Sequence, residues 1–66
     1  MQPHQQRVVD EKSELDLKRD RLTEFLKGKI FQTLPADEQE RLIRQLDIMG
    51  DYSGVLAERI VHFPAA

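Results

Sequence analysis

The sequence predicts an all-α fold: an antiparallel two-helix hairpin that assembles into a homo-oligomeric helical bundle. Apolar residues recur every three or four positions in two long segments, which is the pattern of amphipathic helices. The connection between them is shorter than ten residues, and so short a connection makes two helices antiparallel neighbours. The chain has 66 residues and no cysteine, so no disulfide can support its small core. Self-association is the remaining source of stability that we expect.

The first helix is predicted over residues 3–27. Pro3 suits the first helical position, where its missing N–H is not needed. Gly28 is expected to cap the C-terminal end of this helix. The connector over 28–34 carries three apolar residues that we expect to plug the open end of the hairpin: Ile30, Phe31 and Leu34.

The second helix is predicted over residues 35–62, so residues 1–66 form one helical-hairpin domain. Pro35 fits the first helical position, and Asp37 and Glu38 follow in the first turn, where the helix dipole favours carboxylates. Pro64 ends the pattern. Three acid–base pairs spaced four residues apart should support the outer faces: Asp37–Arg41, Glu40–Arg44 and Glu14–Lys18.

Each helix carries a seam with the alternating spacing of knobs-into-holes packing. The seam residues are Val8, Glu11, Leu15, Lys18, Leu22 and Phe25 in the first helix, and Leu42, Gln45, Met49, Tyr52, Leu56, Arg59 and Phe63 in the second. Laid antiparallel, the seams pair Leu15 with Tyr52. They also bring Glu11 within reach of Arg59, and Lys18 within reach of Gln45 and Tyr52. The second stripe is too wide for one partner helix, which again indicates a second hairpin.

The polar members of the seams have two interpretations. They can fix the register and the oligomeric state of the bundle, as polar seam residues do. Alternatively, they line a cleft between chains. There Lys18, Arg59 and Arg7 would hold phosphates, and Tyr52, with Gln45 beside it, would contact a base.

The segment "GDYSG" places Gly50 and Gly54 in the middle of the second helix, where each costs about 1 kcal/mol relative to alanine. Together with Ala57 they form a stripe of small residues. Three interpretations remain open: a helix break at Gly50, close packing of another helix, or close approach of a ligand.

Charge and composition exclude several classes of protein. The net charge of −2 is not that of a DNA-binding protein, although a few focused cations can still hold a small anion. The first residues lack the apolar run of a signal peptide, and no segment has the length of a membrane span, so a cytoplasmic protein is expected. His4 and His62 lie near opposite ends, and no phosphate loop or catalytic set occurs. We therefore expect no enzymatic activity, metal or cofactor.

The chain resembles a family of crAss-phage-related small helical proteins, over the segments "HQQRVVDEKSELDLKRDRLTEFL", "LPADEQERLIRQLDIMGDYSGVLAERI" and "HF". These in turn are similar to the helical-hairpin domain of phage anti-CBASS and anti-Thoeris sponges. That similarity implies an oligomer that holds cyclic di- or trinucleotides or cyclic ADP-ribose derivatives. In the sponges a tyrosine and a lysine from neighbouring chains contact the messenger, which implies these roles for Tyr52 and Lys18.

The predicted function is therefore non-catalytic sequestration of a cyclic nucleotide immune messenger at chain interfaces, in the cytosol of the host cell. The alternative is a phage protein-interaction module that inhibits or adapts a host protein through its apolar helical face.

Overall fold

Two long helices joined by a short one form a rod. The computed structural model describes residues 1–64. Helix α1 spans Pro3–Leu26, α2 spans Lys29–Gln32 and α3 spans Ala36–Val61. α1 and α3 pack side by side, and the rod measures 50 × 14 × 13 Å. The all-α prediction is confirmed, with one addition: the predicted connector contains the short helix α2.

The turn between the long helices is held by hydrogen bonds from side chain and backbone. Gln39, in the first turns of α3, donates from Nε2 to the carbonyl oxygens of Phe31 at 3.1 Å and Leu34 at 3.0 Å. The Phe31 ring packs edge-on against Phe25, with the ring centroids 6.4 Å apart. Ile30 was expected to join this plug, but it is exposed. In the short helix Phe31 faces the turn, as does Leu34 after it, and both are half-buried, whereas Ile30 lies on the opposite side.

The role predicted for Gly28 is wrong. It has φ −86° and ψ 169°, which is extended backbone, and it begins α2 instead of closing α1 in the left-handed conformation. Two backbone hydrogen bonds close the end of α1 without a left-handed residue, and Gly28 takes part through its N–H. The N–H of Lys27 bonds to the carbonyl of Glu24, and the N–H of Gly28 bonds to that of Phe25.

The buried apolar core is small. It consists of Val8 and Leu15 from α1 and Leu56 from α3. Leu56 has no exposed surface at all. The half-buried side chains of Met49, Ile60 and Phe63 extend this core along α3.

Three contacts define how α1 and α3 are aligned, and they show that the helices are antiparallel. Ser53 meets Asp16, Gln5 reaches the carbonyl of Pro64, and Arg19 lies over Gly50. From one pair to the next, each step forward along α1 is matched by an equal step backward along α3. One register therefore holds along the whole rod. Compared with the predicted pairing of Leu15 with Tyr52, α3 is shifted by two residues, or about 3 Å.

Both long helices are unsuited to crossing a membrane. Within residues 1–64, no helix combines the length and the apolar character of a membrane span.

The helix break considered at Gly50 does not occur, because α3 runs through both glycines. A Cβ built on Gly54 has no atom within 4 Å, so alanine fits there without a clash. We expect Gly54→Ala to stabilise the fold by about 1 kcal/mol, which corresponds to about 4–8 °C in Tm for a domain of this size. Thermal unfolding followed by circular dichroism measures this shift.

The matched control is Gly28→Ala, the same change outside a long helix. A Cβ on Gly28 would make an ordinary contact, 3.4 Å from the carbonyl oxygen of Phe25. Because Gly28 precedes α2 in an extended conformation, the helix propensity of alanine gives no advantage there, and we expect no gain in Tm. A fall in Tm for Gly54→Ala would show that another molecule packs against this face of α3.

Candidate functional site

The face of α1 that packs on α3 differs from the predicted seam. Lys18, Gln45, Tyr52 and Arg59 were assigned to the seam, yet all four are exposed. The contact face is turned away from them, towards Asp16 and Ser53. The seam prediction is therefore wrong for every second position of the second helix and for Lys18 and Phe25 in the first, whereas Glu11 is half-buried. The physical reason is that Lys18 keeps its ammonium group in water, where a charge costs least.

A polar cluster that the sequence analysis missed lies at one edge of the α1–α3 contact. We call it the Asp16 cluster, and it consists of Lys12, Asp16, Arg19 and Ser53. Asp16 accepts hydrogen bonds from Lys12 Nζ at 2.7 Å, from Ser53 Oγ at 2.6 Å and from Arg19 Nη1 at 3.0 Å. Three donors around one carboxylate make a strong, charge-assisted set of contacts.

The donors of the Asp16 cluster lower the pKa of Asp16 well below the usual range of an aspartate. Lys12 contributes most, followed by Ser53 and then Arg19, and partial burial opposes them. The Nε atom of Arg19 is buried without a hydrogen-bond partner in the part of the chain described. The cluster therefore joins the two helices. Its one member on α3 is the buried Ser53, which donates its hydrogen bond to Asp16 on α1.

The five predicted ligand-binding residues lie on the opposite edge from the Asp16 cluster. Each residue turns a helix by about 100°. Viewed down the axis of α1, Asp16 lies about 100° to one side of the buried Leu15. Lys18 and Arg7 lie about 60–80° to the other side.

The same reasoning applies to α3. Measured from the buried Leu56, Ser53 is turned about 60° towards the Asp16 cluster, and Arg59, Tyr52 and Gln45 are turned about 20–60° the other way. Because Asp16 and Ser53 meet, the remaining sides of both helices share one edge. We call this the cationic edge, and it contains Arg7, Lys18, Gln45, Tyr52 and Arg59.

The register divides the cationic edge into separate groups. Lys18 and Tyr52 lie within one residue of the same level along the rod. Arg7 and Arg59 are within about 5 Å of each other along the axis, and they lie about 15 Å and 11 Å, respectively, from Tyr52. Gln45 is displaced in the opposite direction, about 25 Å along the axis from Arg7. One copy of the chain therefore brings Lys18 to Tyr52 and Arg7 to Arg59, but leaves Gln45 apart.

The cations of this edge are free of ion pairs. Within residues 1–64, Arg7, Lys18 and Arg59 make no salt bridge, and the predicted contact of Glu11 with Arg59 is absent. Of the three predicted supporting pairs, only Asp37–Arg41 forms, at 3.3 Å, with Glu38 also contacting Arg41.

The cationic edge is an open surface. No pocket is enclosed by the described residues, and no group of three His, Asp or Glu among them could hold a metal ion. Unpaired lysine and arginine side chains can bind phosphate oxygens, and an exposed tyrosine can stack on a base. Two carboxylates, Glu11 and Glu14, are turned about 40° and 100° from Leu15 to the same side, so this edge carries charges of both signs.

Comparisons with known proteins place the chain among small phage proteins. Over 63 residues it is 40% identical to an uncharacterised 7.5 kDa protein from the denB–rIIB intergenic region of Enterobacteria phage T4. The aligned residues make up 96% of this chain and 98% of that protein. No solved structure matches the chain. The family model named Sequestin matches residues 2–62. The predicted membership of a small phage protein family is thereby confirmed, and the chain belongs to the Sequestin family.

Proposed function

We propose that the chain binds a cyclic nucleotide immune messenger of the host and keeps it from its receptor, without catalysis. The observation that carries the proposal is the level placement of Lys18 and Tyr52 on an exposed edge whose cations have no ion-pair partner within the described chain. The family name denotes sequestration, and the T4 relative supports a phage origin. The protein would act in the cytosol of the infected cell.

The groups of the cationic edge divide the binding work. Lys18 contacts one phosphate while Tyr52 stacks on the adjacent base. Arg59 and Arg7, which lie further along the rod from Tyr52, contact a second phosphate. Cyclic di- and trinucleotides and cyclic ADP-ribose derivatives all combine bases with two or more phosphates. Because these contacts are charge-assisted and exposed, affinity should fall as salt is raised.

A sequestering protein must release its ligand slowly, and an open edge on one chain does not provide this. A homo-oligomer solves the problem, because a second copy can cover the bound messenger. Slower dissociation is the usual route to tighter binding.

The first test is thermal unfolding of the protein with and without a panel of cyclic di- and trinucleotides and cyclic ADP-ribose isomers. A ligand that binds the folded state alone raises Tm by mass action. Lys18→Ala and Tyr52→Ala should each weaken the binding of the active compound by about tenfold or more, because each removes a phosphate or a stacking contact.

The matched control is Lys29→Ala, which removes an exposed lysine of α2, far from Tyr52. It should bind the messenger as the wild type does. An equal loss of affinity for Lys29→Ala would contradict the proposed site. Dissociation of the oligomer by Lys18→Ala would also contradict it, and would favour the interpretation that Lys18 fixes the register of the packed helices.

One observation favours a second function, a protein-interaction module. The apolar side chains of Ile48, Tyr52 and Val55 are exposed on α3, and such a face can dock into a groove of a host protein. Absence of a Tm shift with every compound in the panel would turn the assignment to this function.

A further inference from the structure

One carboxylate of the cationic edge has no partner. Glu11 is turned about 40° from Leu15 towards this edge, and its side chain is half-buried. Within residues 1–64 Glu11 makes neither a side-chain hydrogen bond nor a salt bridge. Neither of its carboxylate oxygens is sealed from solvent. Glu11 is therefore a charged acceptor that a ligand can reach.

Along the rod, Glu11 lies between the two groups of the cationic edge. Arg7 is about 6 Å away along the axis in one direction, and Tyr52 is about 9 Å away in the other. Arg59, on the neighbouring helix, is offset from Glu11 by only about 1.5 Å along the axis. The order from Arg59 through Glu11 to Tyr52 is therefore a cation, a carboxylate and an aromatic ring. A nucleotide presents complementary groups in the same order: a phosphate, a ribose and a base.

A carboxylate in this place affects which anions the edge can hold. Like charges in contact repel, so a carboxylate beside a phosphate weakens the binding of that phosphate. The loss is offset when the carboxylate accepts a hydrogen bond from another group of the same ligand. Ribose hydroxyl groups are donors of this kind, and they adjoin the phosphates of a nucleotide. Glu11 thus favours a ligand with a ribose and disfavours a ligand that carries phosphates alone.

We propose that Glu11 accepts a hydrogen bond from a free ribose hydroxyl group of the messenger, and that this contact selects phosphorylated ribosides over bare polyphosphates and deoxy sugars. The proposal rests on the proposed function and adds to it the residue that discriminates between ligands of the same edge.

The other carboxylates at this level of the rod are placed differently. Glu14 is exposed and is turned about 100° from the centre of the contact face, towards the outer side of α1. Asp51 and Glu58 are also exposed, and they are turned about 140–160° from the centre of the contact face, onto the outer side of α3. A ligand lying along the line where the two helices meet covers Glu11 and leaves these three carboxylates in water.

The first test is Glu11→Gln, which keeps the shape of the side chain and removes its charge. For the active compound of the messenger panel we expect about a tenfold loss of affinity, because a charge-assisted hydrogen bond becomes a neutral one. For tripolyphosphate, which has phosphates but no ribose, we expect about a threefold gain, because the repulsion is removed. Isothermal titration calorimetry at low salt measures both affinities.

A second test identifies the hydroxyl group. It uses analogues of the active compound in which each free ribose hydroxyl group is replaced in turn by hydrogen. One analogue should bind the wild type about tenfold more weakly than the parent compound does, whereas Glu11→Gln should bind this analogue and the parent almost equally. Losses that simply add, for every analogue, would overturn the contact between Glu11 and the ribose.

The matched control is Glu40→Gln, the same change at an exposed carboxylate of α3 without an ion pair among residues 1–64. Glu40 lies about 16 Å from Lys18 along the rod, so both affinities should stay at the wild-type values. A gain for both probes in Glu11→Gln, or no change for either, would overturn this proposal while the proposed function stands. Absence of binding for every compound and for tripolyphosphate would overturn the proposed function, and this proposal with it.

Discussion

Leu56→Ala should remove a large part of the stability of the chain. Leu56 is the fully buried side chain of a core whose other buried apolar residues, within residues 1–64, are Val8 and Leu15. Truncating a buried leucine costs about 2–5 kcal/mol, through lost transfer free energy and the cavity that remains. A domain of this length has a total unfolding free energy of roughly 3–10 kcal/mol. Urea unfolding followed by far-UV circular dichroism should show a strongly lowered midpoint.

The matched control is Leu17→Ala, the same chemical change on the outer face of α1. Leu17 is 55% exposed, so we expect its truncation to change the unfolding free energy by less than about 0.5 kcal/mol. If both variants lost stability equally, the outer face of α1 would also be covered in solution. The α1–α3 contact would then not be the principal core.

The helices were predictable because their ends depend on local chemistry. Pro3 and Pro35 limit where each long helix can begin, and both helices do begin within a residue of them. The apolar repeats are long enough to exclude strands. Local chemistry also explains the error at Gly28: a glycine after a helix suggests a left-handed cap, but here an additional short helix starts at that position.

The contact face could not be chosen from the repeats alone. Stripes through Leu15 and Lys18, or through Leu15 and Arg19, are both at helical spacing. What selects the second is the hydrogen bond between Asp16 and Ser53, whose positions are 37 residues apart in sequence. A pattern within one helix carries no information on such a contact. The available signal was the spacing Met49–Ser53–Leu56, which places a small polar residue among core positions.

The partly wrong seam nevertheless identified one surface. Lys18, Tyr52 and Arg59 were selected because they interrupted an apolar repeat, and that interruption marks the border between the buried and exposed sides of each helix. Residues at one border of two packed helices share an edge, even when the register differs by two residues. Assigning a ligand to that edge requires the binding experiments described above.

Acidification should weaken the fold through Asp16. The pKa of Asp16 is lowered in the folded state by Lys12, Ser53 and Arg19, whereas an unfolded aspartate titrates near 3.9. The unfolded chain therefore binds more protons than the folded chain as the pH falls below that value. The stabilisation is complete above about pH 5 and is progressively lost as the pH falls through 4 and towards the folded pKa.

Asp16→Asn tests this linkage because it keeps the shape of the side chain and removes its charge. At pH 7 the variant should melt several degrees below the wild type, since Lys12 and Arg19 lose their anionic partner. The difference in Tm should shrink as the pH falls from 5 to 2, because Asp16 of the unfolded wild-type chain then takes up a proton while the folded chain keeps the carboxylate ionised. The control Asp20→Asn removes an exposed carboxylate without an ion pair among residues 1–64, and it should stay close to the wild type at neutral pH. A difference between Asp16→Asn and the wild type that stays constant with pH would show that the packing of Asp16, and not its charge, joins the two helices.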